Sequence, residues 1–309
     1  SYIIRVPIEL EEVTGGTAST NRPDARSHAI GVESAKFPVI WGGVQYLYSG
    51  TADIVKNNGA FWNPITDTWK AMSSNNAPTA RYGVPAMTDG SRFFIWGGTN
   101  GNTGLANGKV YIRVVDSGPS SPSWVSVSTS NAPDSRADYG GCVIDGWFFI
   151  FSGADGTSFR DDAYMFNSVT DTWNNSISTS GIPDSRIKPA CVWTGKEVIV
   201  FGGEHNTGNA LNTGGRWTPG SSSFTDAGTW TSMSTVDAPT PKDMFYCWTG
   251  KELIVFGATS DTESTGGRYD PNRDIWRPIS LVHSPSPRRS RGNNDRGYWT
   301  GSEFIISEG

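Results

Sequence analysis

The sequence lacks long hydrophobic runs, helical periodicity and the common catalytic signatures. No apolar stretch approaches the ~20 residues that a helix needs to cross a bilayer, which argues against a membrane-spanning helix. No segment sustains the ~3.6-residue hydrophobic spacing of an amphipathic helix, so the pattern argues against a helical fold. Neither Gly-x-Ser-x-Gly nor His-Glu-x-x-His occurs, which removes the hydrolases and zinc proteases that carry those motifs.

Histidine and cysteine are scarce, with three of each in 309 residues. They are His28, His205, His283, Cys142, Cys191 and Cys247. Different repeats separate the histidines, and no Cys-x-x-Cys pair provides zinc-ligand spacing. The cysteines stand at equivalent points of successive repeats, where we expect a Cα separation above the ~7 Å limit of a disulfide. We therefore predict unbridged, buried cysteines and expect neither a metal site nor a cofactor.

Basic residues are dispersed along the chain, and the formal net charge is −5. A nucleic-acid-binding face normally clusters Lys and Arg, so we expect no nucleic-acid partner. The short basic run 288–291 is interpreted as a solvated loop. The loop acids Asp155, Asp161 and Asp162 lack a calcium-binding spacing and are interpreted as solvated too. Abundant Ser, Thr, Asn and Gly, with a first residue other than Met, favour a processed extracytoplasmic protein or an excised domain.

What the sequence does contain is a repeat with a period near ~50 residues, the length typical of a propeller blade. Each repeat has a short apolar run that ends in Gly-Gly or a variant. These runs are 39–43, 94–98, 149–153, 199–203 and 254–258. Short runs rich in Val, Ile, Phe and Trp, bounded by Gly, predict buried strands. Turn signals such as Asp145-Gly146 and Thr194-Gly195 precede the later runs and predict tight hairpins.

Two further landmarks follow in each repeat. An aromatic residue precedes a turn and a tryptophan, and this tryptophan closes the repeat. The closing tryptophans are Trp69, Trp124, Trp173, Trp230 and Trp276. We predict that each one fills the space between neighbouring four-stranded blades. A Pro-rich connection then ends at a basic residue, which is Arg26, Arg81, Arg136, Arg186, Lys242 and approximately Arg291.

These repeats predict an all-β, six-bladed β-propeller that occupies residues 1–309 as a single domain. The predicted blades are approximately 26–80, 81–135, 136–185, 186–241, 242–290, and 291–309 together with 1–25. Residues 2–6 match the third strand of a later repeat at 111–114, and 303–309 reads as a repeat cut after its second strand. We therefore expect N- and C-terminal strands to close the last blade together, which removes exposed sheet edges. A five-bladed ring with unpaired ends is the structural alternative.

The sequence resembles kelch-repeat proteins, in which Gly-Gly, a Tyr and a Trp mark each blade. Two stretches, 192–203 and 265–271, resemble bacterial secreted or surface kelch-repeat proteins in particular. The resemblance covers nearly all of residues 26–309 and implies a kelch-type propeller. It does not specify a function, because propellers host many unrelated activities.

The loops after each Gly-Gly differ between repeats while the strands recur, and such surface loops are where binding usually resides. Resemblance to kelch domains that bind acidic peptides suggests the arginines at which the chain enters each innermost strand: Arg26, Arg81, Arg136, Arg186 and Arg291. Neighbouring and loop residues would set specificity: His28, Tyr82, Asp138, Tyr139, Lys188, Glu204, His205, Asn206, Asp243, Phe245 and Arg296. Because the arginines recur in nearly every repeat, a role in stabilising the repeat is the alternative.

We predict a non-enzymatic binding module, extracellular, periplasmic or on the cell surface, with a protein or glycan partner at the loop face. The enzymatic alternative is a carbohydrate epimerase or mutarotase, an activity that some six-bladed kelch proteins have. That chemistry needs a base, for which Glu204 or His205 is the candidate. It also needs a cation that orients an acidic sugar, for which Arg136, Arg186 or Lys188 is the candidate. A third possibility is a structural subunit of a surface or filamentous assembly.

Overall fold

The computed structural model describes residues 21–24, 26–32, 39–45, 53–63, 66, 68–112, 123–156, 158–221, 223–260, 262–281 and 297–306. Within these residues all regular secondary structure is β-strand. The strands are β1 (Ile30–Val32), β2 (Val39–Trp41), β3 (Val44–Gln45), β4 (Ile54–Val55), β5 (Gly59–Asn63), β6 (Thr68–Ala71), β7 (Met87–Thr88), β8 (Arg92–Trp96), β9 (Gly108–Ile112), β10 (Ser123–Ser126), β11 (Gly140–Ile144), β12 (Trp147–Phe151), β13 (Ala154–Asp155), β14 (Ser158–Phe159), β15 (Ala163–Asn167), β16 (Thr172–Asn174), β17 (Ala190–Trp193), β18 (Val198–Phe201), β19 (Gly214–Thr218), β20 (Thr229–Ser232), β21 (Asp243–Trp248), β22 (Leu253–Ala258), β23 (Ser264–Asp270), β24 (Ile275–Pro278), β25 (Tyr298–Trp299) and β26 (Phe304–Ile305). Among the described segments there is no helix that could cross a membrane.

Most of these strands form antiparallel four-stranded sheets, each of which is one blade of a β-propeller. The blades are β1-β2-β5-β6, β7-β8-β9-β10, β11-β12-β15-β16, β17-β18-β19-β20 and β21-β22-β23-β24. The innermost strands of successive blades contact one another, from β7 through β11, β17 and β21 to β25. The short pairs β3–β4 and β13–β14 extend the loops that follow the Gly-Gly positions of the first and third blades. The predicted all-β propeller is therefore confirmed.

The number of complete blades differs from the prediction. The described residues form five four-stranded blades and not six. A sixth repeat supplies only β25 and β26, which pair with each other beside the fifth blade. The outer strands that we expected from the first twenty or so residues lie outside the described residues, and so does the 2–6 segment, which we predicted to meet residues 304–307.

The Gly-Gly positions bring the chain close to the linker of the same blade. Gly43 has a φ of +90°, and a side chain there would place its Cβ 2.7 Å from the Ser27 carbonyl oxygen. Only glycine accepts both this left-handed conformation and this close approach at low cost. The hairpin at Asp145-Gly146 has positive φ at both central residues, which is the turn geometry that the sequence signal predicts.

Four of the five closing tryptophans, Trp124, Trp173, Trp230 and Trp276, lie between blades, as predicted. Each ring packs against the second strand of the preceding blade. The ring-centroid distances are 5.6 Å for Trp124–Trp41, 4.7 Å for Trp173–Trp96, 5.5 Å for Trp230–Phe151 and 4.3 Å for Trp276–Phe201. Two of the indoles also donate a hydrogen bond backwards, from Trp124 Nε1 to the Ser73 carbonyl and from Trp173 Nε1 to the Ser128 carbonyl. These four tryptophans thus join the second, third, fourth and fifth blades to their predecessors.

The three cysteines are buried and unbridged, which confirms the prediction from their spacing. They lie on the innermost strands β11, β17 and β21. Burial raises the pKa of the Cys247 thiol to about 12, so this thiol stays protonated at neutral pH. The cysteines therefore act as small apolar core residues.

Candidate binding site at the channel mouth

The recurring arginines are buried inside the blades. Arg81, Arg136 and Arg186 are 1%, 0% and 0% exposed. In each, the Nη1 atom donates to the backbone carbonyl sixteen residues later, at the first of the two Gly-Gly positions. The distances are 2.8 Å to Gly97, 3.0 Å to Ser152 and 3.1 Å to Gly202. In each, the Nε atom donates to the carbonyl two residues earlier.

The same guanidinium groups also hold the loop that leads into the third strand of their blade. Arg81 donates to the Asn107 carbonyl at 3.0 Å, and Arg186 donates to the Thr213 carbonyl at 2.7 Å. Arg136 instead forms a two-point ion pair with Asp162. Burial lowers the pKa of Arg81 and of Arg186 to about 10, which still leaves both charged at pH 7. These three arginines are therefore scaffold residues whose guanidinium groups are bound within their own blades.

Arg26 has the same scaffold role with less burial. Its Nη1 atom donates to the Gly42 carbonyl at 3.1 Å and to the Asn58 side-chain oxygen at 2.9 Å. Arg291 and Arg296, the other predicted basic candidates, lie outside the described residues. Among the described arginines, Arg81, Arg136 and Arg186 are thus too buried for the ligand role that the resemblance suggests, and the half-buried Arg26 is bound to its own blade.

The positions two residues after these arginines form a belt around the channel mouth. We call His28, Gly83, Asp138 and Lys188 the channel-mouth belt. All four have left-handed backbones, with φ values of 54°, 74°, 62° and 53°. The Asp138 N–H donates to the Gly83 carbonyl at 2.8 Å, and the Lys188 N–H donates to the Asp138 carbonyl at 2.6 Å. The belt thus joins the innermost parts of neighbouring blades through the backbone, and three of its members carry polar side chains.

The belt meets the variable loops, as the predicted topology requires. The residue after each arginine forms an isolated β-bridge with the residue after the Gly-Gly positions. These bridges are Ser27–Val44, Tyr82–Thr99, Ala137–Ala154 and Ile187–Glu204. The linkers and the Gly-Gly loops therefore lie side by side on one face of the propeller.

Three predicted site residues form a charged cluster on this face. The Lys188 Nζ atom lies 3.7 Å from Glu204 Oε1. The pKa of Asp138 is raised to about 6, mainly by burial; the charge of Lys188 opposes this shift, and the negative charge of Glu204 adds to it. Asp138, Lys188 and Glu204 come from two blades and are separated by up to 66 positions along the chain. The fold, through the belt and the Ile187–Glu204 bridge, brings them together.

The remaining predicted residues divide between surface and core. The His28 and Tyr82 rings lie 5.7 Å apart at the channel mouth, His205 lies 6.4 Å from Phe159, and Asn206 is exposed in its loop. Tyr139 and Phe245 are 1% and 2% exposed, and Tyr139 donates its hydroxyl to the Trp96 carbonyl. These two are therefore core residues and not part of the opening. The backbone of Asp243 begins β21 and pairs with Ala258.

The structure also corrects the interpretation of the loop acids. Asp162 pairs with the buried Arg136, and Asp155 accepts a hydrogen bond from the Ser135 hydroxyl. Neither is simply solvated. A spacing signal was present, because Asp162 follows Arg136 by the same 26 residues that separate Asn107 from Arg81. Within the described residues, no group of three or more His, Cys, Asp or Glu side chains is placed to hold a metal ion.

We expect the Asp138→Asn variant to be more stable than the parent protein at pH 8, by about 1–3 kcal/mol. The folded-state pKa of Asp138 is about 6 and the ordinary value is 3.8, so the folded protein binds this proton more tightly than the unfolded chain. The ionised carboxylate therefore costs stability above pH ~6, and this cost disappears as the pH falls towards ~4. Asparagine is neutral and tolerates the left-handed backbone. Urea unfolding of both proteins between pH 4 and 8 measures the difference. If the stability difference between the variant and the parent protein were the same at pH 4 and pH 8, the raised pKa of Asp138 would be contradicted.

Comparison with known proteins finds similarity to one family. Residues 27–214 match the KLHDC2/KLHL20/DRC7 Kelch-repeats domain. Among curated proteins, the human (Homo sapiens) Kelch domain-containing protein 3 is 25% identical over 176 residues, which cover 53% of this chain and 46% of that protein. The mouse (Mus musculus) Kelch domain-containing protein 2 is 24% identical over 213 residues, which cover 59% and 52%. The flagellar outer arm dynein alpha chain of Chlamydomonas reinhardtii is 25% identical over 147 residues, which cover 47% and 3%. The aligned region thus spans about half of the two kelch domain-containing relatives and a small part of the dynein chain.

Proposed function

Because this chain belongs to the kelch-repeat family, we propose that it is a protein-interaction module whose partner binds at the channel mouth. One observation carries the proposal. His28, Asp138 and Lys188 hold polar side chains at belt positions whose left-handed backbone glycine adopts without strain, as Gly83 does. Lysine pays about 1–2 kcal/mol for this conformation, whereas Asp and His adopt it more readily. Such strain concentrates at functional sites, where the side chain has a task that outweighs the cost.

The accessible chemistry of this face determines which partners fit it. Arg81, Arg136 and Arg186 are buried, so they do not supply positive charge to a ligand. The groups near the opening are Asp138, Lys188 and Glu204, together with the His28 and Tyr82 rings. This set offers both charge signs and an aromatic surface. A polar peptide segment that carries both charges fits it better than a purely acidic peptide.

We expect the Lys188→Gly variant to fold normally and to lose partner affinity by about tenfold or more. Glycine accepts the φ of 53° at this position and keeps the N–H that donates to Asp138. The change therefore removes the side chain without breaking the belt. The probe is a set of peptides selected from a phage-displayed random library against the parent protein, and the affinity of each is measured by fluorescence polarisation.

The matched control is Lys196→Gly, in the hairpin between β17 and β18. Lys196 is exposed and lies at the other end of β17 from Lys188. Its replacement should leave the affinity of the selected peptides unchanged. Selected peptides that bind Lys188→Gly as tightly as the parent protein would show that the channel mouth is not the site.

The structure gives the epimerase or mutarotase alternative less support. That reaction needs a cation that is free to orient an acidic sugar. Arg136 and Arg186 are fully buried and already bound, and the Lys188 ammonium faces Glu204 at 3.7 Å. The base and its nearest cation thus neutralise each other. A glycan partner, a role in a filamentous assembly and an extracytoplasmic location stay predictions.

We also propose the finer architecture that the sequence predicts, in which residues 1–25 complete a sixth blade with β25 and β26. Phe304 and Ile306 are buried in one cluster with Phe245, Ile254 and Phe256 of the fifth blade. The start of a sixth repeat therefore packs on the fifth blade as the other blades pack on their predecessors.

The named relatives are eukaryotic, and the narrower resemblance to bacterial secreted kelch proteins also stays a prediction.

A further inference from the structure

A cavity of about 230 Å³ lies between the fifth blade and the β25–β26 hairpin. Its apolar walls include Ile254, Ile279, Trp299 and Phe304, and the Arg268 guanidinium lies at its side. Lys251 and Glu252 stand at its rim, on the hairpin between β21 and β22. The cavity is on the hairpin face of the propeller, away from the channel-mouth belt.

At each earlier blade interface, an aromatic side chain from the third strand of the following blade fills the equivalent position. Tyr111 lies 5.5 Å from Phe61, Phe166 lies 5.0 Å from Phe94, and Trp217 lies 5.5 Å from Phe149. The three aromatics occupy one register, because each pairs with the same position of its neighbouring second strand. The pairs are Phe93–Tyr111, Phe148–Phe166 and Val198–Trp217.

Tyr269 occupies this register in the fifth blade, where it pairs with Leu253. Its hydroxyl donates to Asp274 of its own blade at 2.6 Å and also interacts with the Arg216 guanidinium of the fourth blade. Arg216 lies opposite Ile199, and Arg268 lies opposite Ile254 at the equivalent register. The cavity beside Ile254 and Arg268 is therefore the position that the third-strand aromatic of a sixth blade would fill.

We propose that the Tyr2 side chain fills this cavity, with its hydroxyl on Arg268 and its backbone paired with Phe304. The proposal rests on the sixth blade proposed above and names its anchor residue. Tyr2 is the one aromatic residue in positions 1–25, and it aligns with Tyr111 in the match between residues 2–6 and 111–114.

The proposal is tested in the full chain by a disulfide between Tyr2→Cys and Phe304→Cys. Directly opposed residues of antiparallel strands have Cα separations of about 4.5–5.5 Å, within the range that a disulfide accepts. The matched control joins Ile3→Cys to Phe304→Cys, because a shift of one residue turns the side chain to the opposite face. Mild oxidation should link the first pair within one chain and leave the control pair free, as read by peptide mapping under non-reducing conditions.

Three results would overturn the proposal: no link in the first pair, a link only in the shifted pair, or a link between two copies. The last result would assign the cavity to the N-terminal segment of a second copy. Hydrogen exchange supplies a second measurement: exchange at β26 should be at least ~10-fold faster in Tyr2→Ala than in the unmodified chain if Tyr2 covers this strand. Unchanged exchange at β26 contradicts the proposal as well.

The outcome for Tyr2 is separable from the two proposals above. One outcome is that the first cysteine pair stays unlinked while the amides of residues 3–6 exchange slowly in the unmodified chain. In that case the sixth blade is retained, and the N-terminal strand pairs with β26 in a register other than Tyr2 opposite Phe304. If residues 3–6 exchange as fast as an unfolded peptide, the sixth blade fails together with the Tyr2 assignment. Neither result changes the affinity of the selected peptides for the channel mouth, which depends on the side chain of Lys188.

Discussion

Replacing Trp276 with alanine is expected to lower the free energy of unfolding by about 3–5 kcal/mol. Trp276 is 4% exposed, and its ring lies 4.3 Å from Phe201 of the fourth blade and 5.2 Å from Tyr269 of its own blade. The substitution leaves a cavity between two blades that cannot close without moving a whole sheet. Urea or thermal unfolding followed by tryptophan fluorescence measures the effect.

Two variants make this prediction specific. Trp276→Phe should cost clearly less than Trp276→Ala, because the buried indole Nε1 has no hydrogen-bond partner among the described residues and phenylalanine keeps most of the ring. Val236→Ala, at a side chain that is 71% exposed, should change stability by less than about 0.5 kcal/mol. A loss in Trp276→Ala no larger than that in Val236→Ala would refute the interface role of the closing tryptophan.

Replacing Arg186 with methionine is expected to lower the free energy of unfolding by about 2–6 kcal/mol. The guanidinium donates to the Gly202 carbonyl at 3.1 Å and to the Thr213 carbonyl at 2.7 Å, and it also binds the Asp184 carbonyl. Methionine fills much of the same volume but donates nothing, so buried carbonyl groups lose their partner. Each unsatisfied buried group costs about 1–3 kcal/mol. Denaturant unfolding measures the loss.

The control for Arg186 is Arg160→Met. Arg160 has a quarter of its side chain exposed, and its ion pairs with Asp134 and Asp155 are 3.4 Å and 4.0 Å long. Ion pairs of this kind contribute about 0–1 kcal/mol. Similar losses in the two variants would show that Arg186 acts as an ordinary surface charge, in which case the candidate site would have to include it again.

The scaffold was predictable from the sequence because its requirements recur. Gly43 and its equivalents are fixed by close backbone approaches, and Trp124 and its equivalents by the space between blades. Each such requirement repeats once per blade and so leaves a periodic pattern in the chain. The same reasoning could not decide whether Arg81 contacts a ligand or donates hydrogen bonds within the scaffold. Both roles predict an arginine at the same point of each repeat.

The channel-mouth belt was only partly predictable. His28, Asp138 and Lys188 were named as neighbours of the arginines, but nothing in the sequence marked their left-handed backbones or their alignment with Gly83. Tyr139 and Phe245 were named for the same reason and are core residues. One position along a strand reverses the side-chain direction, and the sequence pattern locates such positions only to within a residue or two.

The amino-acid sequence by itself determined the all-β class, the blade repeat, the closing tryptophans and the unbridged cysteines. All of these follow from short-range patterns of apolar residues, glycine and spacing. Only the tertiary structure decided that the recurring arginines are buried and that Asp138, Lys188 and Glu204 share one opening. The physical reason is that burial and proximity depend on how separate blades pack around the axis, and residues from different blades have no fixed spacing along the chain.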